Sequence, residues 1–354
     1  MAYIAATSIT FPSYYYRQED LIEEYCSAPT TGPGEAGLIR MLFPGTRVKG
    51  RYFSIPLQAI GAISGFGGAN DSWIENTLCL GEACLRSLFK QSDLTPQNIS
   101  QVTFASSTGL AIPSIEARMI NRLPFSHNLK RMPLYGLGCV AGATGLARVF
   151  DYLAGHPDEA VILLAAELCS LTFQITDYSV ANIIACGLFG DAVGGAVVLG
   201  SNHPLAQPGY QPRIIDTRAI FIPDTERALG FDVVDSGLKI VLDPVIPELA
   251  LKGLRPEVET FLAQHHLAIE DINIWLVHPG GPKVISGVGQ GLGVAEEELQ
   301  ISFDTLEQVG NISSVSVLYM LDKVLASGKA NPGDYALMIG MGPGFSAELV
   351  LLKW

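Results

Sequence analysis

Two stretches of this 354-residue chain carry one pattern at one spacing, and that pattern limits the fold more than any other feature. In the first, a strand-like VTFAS leads to GLGCVAGATGLARVFDYL and then to the apolar AVILLAAE. In the second, IWLVHPGG leads to QVGNISSVSVLYMLDKVL and then to YALMIGMG. Val102 stands 37 residues before Cys139, and Ile274 stands 37 before Asn311. A repeated strand–turn–helix–strand unit implies internal duplication. It also puts Cys139 and Asn311 at equivalent strand-to-helix turns.

Further apolar runs extend the plan. Gln101–Ser106, Ala160–Ala166, Ala192–Leu199, Ile272–Val277, Tyr335–Ile339 and Ala347–Leu352 read as buried strands, with helical patterns at Ala141–Leu153 and Ser314–Leu325. Strands alternating with helices of this length predict an α/β fold whose sheets are covered on both faces. Ser201–Arg213 has three prolines and no hydrophobic period, so it reads as the connection between halves spanning residues 1–205 and 206–354. Thr30–Gly37 reads as another loop.

Composition removes several classes of function. With 48% hydrophobic and 16% charged residues the chain can bury a large core and is not disordered. A net charge of −13 argues against binding nucleic acid or an anionic membrane. No apolar run approaches the ~18 residues of a membrane span, and the N-terminus lacks the basic and apolar regions of a secretory signal. The six cysteines show no CxxC pair, so neither a disulfide framework nor a zinc site is expected. A cytoplasmic protein with reduced thiols and no metal is the expectation.

Three residues stand out as candidate chemistry. Cys139 follows Gly136-Leu137-Gly138 and opens an Ala/Gly-rich helical segment. A thiol at a helix N-terminus meets unpaired N–H groups and the positive end of the dipole, which favour thiolate. A buried structural cysteine is the competing reading. His278 ends the apolar run IWLV before PGGPK, where a neutral imidazole can activate a thiol or polarise a carbonyl, or can be merely hydrogen-bonded. Asn311, in VGNISS, is either a helix N-cap or an amide donor to a developing oxyanion. Together, a cysteine nucleophile, a histidine and an asparagine donor suit acyl-thioester chemistry coupled to decarboxylation.

With those residues in place the chain resembles the type III polyketide synthases, the thiolase-fold, chalcone synthase-like enzymes. GLGCVAGATGLARVFDYL, ELCSLTFQ, LFGDAVGGAVVLG, VHPGGPKVI, GNISSVSVLYML and GMGPGFSAELVLL all fall in the family's order, across almost the entire chain. The resemblance implies a thiolase fold with duplicated βαβαβ halves in a layered αβαβα arrangement, and a homodimer. It makes Cys139 the acyl-carrying nucleophile, with His278 and Asn311 as its partners, and Phe189 a gatekeeper. It places Ser107, Thr108, Thr172 and Ser313 as small polar cavity residues, while Cys169 could line the same cavity. Ile112 falls where members insert a residue into the partner's cavity. Phe231 occupies a usually small position, and Ile240 replaces a second gatekeeper phenylalanine, so the cavity should be reshaped. Arg40 matches a basic residue at the mouth of the coenzyme A tunnel, and Lys49, Arg51 and Lys283 complete a basic group expected to bind CoA.

The wording of ELCSLTFQ and GLGCVAGA is closest to bacterial alkylresorcinol and alkylpyrone synthases. The resemblance therefore implies malonyl-CoA as extender and a long-chain fatty acyl starter, from acyl-CoA or acyl-carrier protein, with no cofactor beyond CoA thioesters as substrates. After iterative condensation the chain would cyclise to an alkylresorcinol or an alkyl α-pyrone. Two other functions use the same residues: a single-round ketoacyl synthase III, and a non-catalytic thiolase-fold scaffold for acyl chains.

Overall fold

The computed structural model describes the whole chain, Met1–Trp354. Nine strands form one hydrogen-bonded sheet, in the order Ile274–Val277, Tyr335–Gly342, Gly344–Lys353, Arg213–Thr225, Ala2–Thr10, Asp191–Gly200, Ala160–Leu168, Ile99–Ser106 and Lys130–Tyr135. The duplication is visible in this order. Ile99–Ser106 runs parallel to Ala160–Leu168, which pairs antiparallel with Asp191–Gly200. Ile274–Val277 runs parallel to Tyr335–Gly342, which pairs antiparallel with Gly344–Lys353. The halves meet where Ala2–Thr10 pairs with Arg213–Thr225, through Ala2 opposite Ile214 and Tyr3 opposite Arg213. Each half thereby covers an edge strand of the other, which removes an exposed ladder.

Side-chain alternation builds the layers. In Ala160–Leu168, Val161, Leu163 and Ala165 face a central core, while Ile162, Leu164 and Ala166 face an outer one beneath helix Gly65–Ser92. In Tyr335–Gly342, Ala336 and Met338 face the same central core, and Leu337 and Ile339 face a third core beneath helices Ile246–Gly253 and Pro282–Leu292. A strand's period of two, buried on both faces, explains why these segments read as unbroken apolar runs. Helices Ala141–Gly155 and Val315–Ser327 lie side by side in the central layer and touch strands of both halves. The two halves of the one sheet enclose the helix pair and carry further helices outside, which is the αβαβα stack of the thiolase fold.

One loop expectation fails. Thr30–Gly37 is not all loop, because helix Pro33–Leu42 starts inside it. Pro33 at the first helical position has its φ already set and no N–H to satisfy, and Glu35 sits favourably in the first turn. No helix is long and apolar enough to cross a membrane.

Candidate active site

The two central helices bring the halves of the site together. A Cβ on Gly142 would lie 2.0 Å from the Ser314 carbonyl oxygen and 2.8 Å from Val317 Cγ2, so the helices touch through bare backbone. Gly142 is three residues past Cys139, and Ser314 is three past Asn311. The duplicated units therefore cross at equivalent points, with their preceding turns, and hence Cys139 and Asn311, on the same side.

Cys139 occupies a 3-10 turn, Gly138–Val140, ahead of helix Ala141–Gly155. Gly138 has φ +57°, and a Cβ there would sit 2.5 Å from Pro343 Cδ, so glycine is required twice over. The thiol does not behave as its helix position suggested. Burial, with the nearby Glu167 charge adding to it, pushes Cys139 up to about 12, against opposing hydrogen bonds from Ser313 and Asn311. Removal from water outweighs the helix field here and favours the protonated thiol.

Asn311 is not a helix cap. The cap position of Val315–Ser327 is Ser314, and Asn311 lies three residues outside it. Its backbone N–H donates to the Leu188 carbonyl at 2.9 Å, and its carbonyl accepts from Gly190 N–H at 3.0 Å, which brackets Phe189 against it. Its side-chain Oδ1 accepts the Ser313 N–H at 2.8 Å. With the oxygen committed, the amide nitrogen is the group left for other partners.

His278 continues the register of strand Ile274–Val277, its N–H donating to the Ile339 carbonyl at 2.9 Å. The ring is buried and Nδ1 has no hydrogen-bond partner in the protein. Burial alone pulls its pKa down to about 3, so the imidazole is neutral throughout the physiological range.

Cys139, His278 and Asn311 share a small compartment of about 30 Å3, walled by Phe189, Leu229, Met341 and Phe345. Cys139, Phe189 and Leu229 also border a second, larger cavity of about 330 Å3. The thiol thus stands at the constriction between them, with Phe189 beside it. Ser107, Thr108, Cys169, Thr172, Phe231, Ile240 and Ser313 all line the larger cavity. Phe231 and Ile240 face each other directly across the hairpin Leu229–Val234 and Gly237–Leu242, which forms one wall. Ile112 is elsewhere, 97% exposed on a loop.

The basic group divides. Arg51 is a correction: it is fully buried, donating to Gln18 Oε1 at 2.5 Å and to the Gly187 carbonyl at 2.7 Å, and also to the Cys186 carbonyl. Strand Gly50–Phe53 turns it into the protein, where it braces the segment leading to Phe189 and cannot meet CoA. Arg40 makes a bidentate pair with Glu23 at 2.5 and 2.9 Å, and Lys49 pairs with Glu307. Lys283 borders an open depression of about 800 Å3, together with Arg47 and Lys252 rather than with Arg40 or Lys49.

Sequence reasoning missed Glu167. It is fully buried, accepts from the Ser107 N–H at 3.2 Å and from the Ser314 hydroxyl at 2.5 Å, and burial raises its pKa to about 7. The signal was available: a lone carboxylate at the end of AVILLAA is costly unless paired. Asp191 was also missed. It accepts from Ser54 N–H at 2.7 Å, Ser170 N–H at 2.7 Å and the Ser170 hydroxyl at 2.6 Å, and so ties the Cys169–Thr172 turn to the strand that follows Phe189. Phe173, on the cavity wall, stood unnoticed beside Thr172.

Comparison with known proteins identifies the family. Residues 71–203 fit the N-terminal domain model of chalcone and stilbene synthases, and residues 214–354 fit the C-terminal domain model. A 1,3,6,8-tetrahydroxynaphthalene synthase of Streptomyces peucetius subsp. caesius is 39% identical, over 99% of this chain and 93% of its own. A putative chalcone synthase of Bacillus subtilis is 35% identical, over 100% and 99%. The solved 1,3,6,8-tetrahydroxynaphthalene synthase of Streptomyces coelicolor A3(2), a bacterial type III polyketide synthase, superposes with a TM-score of 0.93 at 27% identity, covering 99% of both chains. The chain belongs to the chalcone and stilbene synthase family and is a type III polyketide synthase, a decarboxylating condensing acyltransferase.

Proposed function

We propose that this enzyme loads a fatty acyl starter on Cys139, extends it with malonyl-CoA over several rounds, and cyclises the product to an alkylresorcinol or alkyl α-pyrone. One observation carries the reading: the three polar groups share a small compartment, with a separate, mostly apolar cavity beyond the thiol. In loading, the Cys139 sulfur attacks the starter thioester carbonyl while its proton passes to the neutral His278 ring. The CoA sulfur then leaves with that proton. In extension, malonyl-CoA loses carbon dioxide among Phe189, Leu229, Met341 and Phe345, where an unsolvated carboxylate is disfavoured. The enolate oxygen accepts hydrogen bonds from His278 and the Asn311 amide; the enolate carbon attacks the acyl-Cys139 carbonyl and expels the Cys139 sulfur, which takes up a proton from solvent, while the lengthened β-ketoacyl chain stays on the malonyl unit's CoA. A neutral histidine suits this step, because it donates a hydrogen bond without quenching the enolate.

The remaining assignments follow from position. The depression bordered by Arg47, Lys252 and Lys283 receives the phosphates of coenzyme A; Glu248, paired with Lys252, also lines it, which leaves its lining net positive on a strongly acidic protein. Ile112 is presented to a second copy of the chain in a homodimer. No cofactor is required, since CoA thioesters supply both carbon and activation. Mass spectrometry of products from acyl-CoA starters of graded length with malonyl-CoA, beside Cys139→Ala, tests the reading. Alkylresorcinols or alkylpyrones from wild type alone support it. A tetrahydroxynaphthalene, a product without a tail, would replace the fatty starter, and a one-round ketoacyl product would replace iteration.

A further inference from the structure

Helix Val180–Leu188 ends where the site begins, and its last four carbonyls all find donors. The Ala185 carbonyl accepts from the Phe189 N–H at 3.0 Å, which closes the helix. The Cys186 carbonyl accepts from Arg51, and the Gly187 carbonyl accepts from Arg51 and from Gln18 Nε2, both at 2.7 Å. The Leu188 carbonyl takes the backbone N–H of Asn311 itself, at 2.9 Å. Asn311 thus completes the helix end, and the place of its amide depends on where that end is held.

Gln18 reaches Asn311 from a second side as well. Its backbone N–H donates to the Lys49 carbonyl at 2.8 Å, and the Lys49 N–H donates to the Glu307 carbonyl at 2.8 Å. Glu307 lies in helix Gln300–Val309, which runs directly into Gly310 and Asn311. Gly310 has φ +72°, and a Cβ there would lie 2.6 Å from the Leu188 carbonyl oxygen, so the two helix ends meet with no side chain between them. Gln18 is buried at the start of helix Gln18–Ser27 and lines neither the Cys139 compartment nor the cavity beyond it. Its amide is fully engaged, since Nε2 also donates to Thr46 Oγ1 at 3.1 Å and Oε1 accepts from Arg51 at 2.5 Å.

We propose that Gln18 is a positioning residue for the condensing step: by tying the end of helix Val180–Leu188 to the end of helix Gln300–Val309, it fixes Asn311 against His278 and Cys139. The inference rests on the enolate-binding role of Asn311 in the proposed reaction. His278 and Cys139 are held by other elements, the pairing with Ile339 and the Gly138–Val140 turn. The effect of Gln18 is therefore confined to the step that uses Asn311, and loading is left alone.

Gln18→Leu removes every side-chain hydrogen bond of this residue. Gln18→Glu keeps the length and the acceptor for Arg51 but loses the donor to Gly187, and it carries the test if the leucine variant does not fold. Two rates are read on folded enzyme well below its Tm: acylation of Cys139 by hexanoyl-CoA, from intact-protein mass, and release of labelled carbon dioxide from carboxyl-labelled malonyl-CoA. In either variant decarboxylation should fall about tenfold or more at a KM for malonyl-CoA within about twofold of wild type, while acylation stays within about twofold. In an Asn311→Ala background the Gln18 substitution should cause no further loss, because the residue it positions is gone. Equal falls in both rates, unchanged decarboxylation, or a further loss in the Asn311→Ala background would overturn the assignment. Each of these leaves the proposed reaction standing as long as Asn311→Ala alone slows decarboxylation; if it does not, the role of Asn311 falls and this inference with it.

Discussion

Gly142→Ala tests whether the helix crossing assembles the site. The added methyl would begin 2.0 Å from the Ser314 carbonyl oxygen, a backbone atom, and 2.8 Å from Val317 Cγ2. Ordinary van der Waals contact starts at 3.4 Å, so the helices must part by over ~1 Å at a fully buried point. Over-packing of this kind costs about 1–3 kcal/mol of stability. The functional loss should be larger for one step than the other. In the proposed reaction loading needs Cys139, His278 and an incoming thioester, whereas condensation also needs Asn311 in register with Cys139 directly across the crossing. A misplacement of ~1 Å costs reaction rate on the order of 100-fold, about 2.7 kcal/mol in barrier. Acylation measured by intact-protein mass and condensation measured by single-turnover product formation separate the two. The expected result is acylation within several-fold of wild type, condensation down about 100-fold, and a Tm lowered by a few degrees. Gly155→Ala, at the far end of the same helix with nothing within 4 Å, should leave both rates unchanged. A folded Gly142→Ala enzyme that condenses at the wild-type rate would refute the argument that the crossing sets the site.

Three further outcomes are expected. Arg51→Ala strands the Gln18 Oε1 and Cys186 carbonyl acceptors and should cost about 2–4 kcal/mol in urea unfolding; a KM effect with no stability loss would restore a CoA role. Phe231→Gly removes the ring opposite Ile240 and should change the ratio of cyclised products by mass spectrometry; an unchanged ratio takes Phe231 out of chain folding. His278 has a folded pKa near 3, below its ordinary 6.5, so its contribution to stability is complete above pH 6.5 and is lost as pH falls from there towards 3. Thermal melts across that window should show a smaller acid loss in His278→Gln than in wild type, and parallel curves would contradict a buried neutral ring.

What the sequence disclosed and what it concealed divide along a physical line. The 37-residue spacing paired Cys139 with Asn311 because duplication leaves its mark in the chain itself, and buried strands are legible because both faces must be apolar. Arg51 was misread because charge near Lys49 defaults to solvated surface. Its acceptors, Gln18, Cys186 and Gly187, lie 33, 135 and 136 residues away, where no local pattern reaches. The Cys139 thiol was misread for a related reason. A helix N-terminus is a local feature and favours thiolate, but the depth at which that turn is buried is a property of the assembled layers, and it dominates. In the proposed reaction, a protonated thiol gives the neutral His278 its place as proton acceptor. Two buried groups, each displaced from its ordinary pKa in the direction that keeps it uncharged, can exchange one proton at the moment of attack without either carrying a charge at rest. A mostly apolar compartment tolerates that arrangement, where a resting thiolate–imidazolium pair would carry a desolvation penalty on both members.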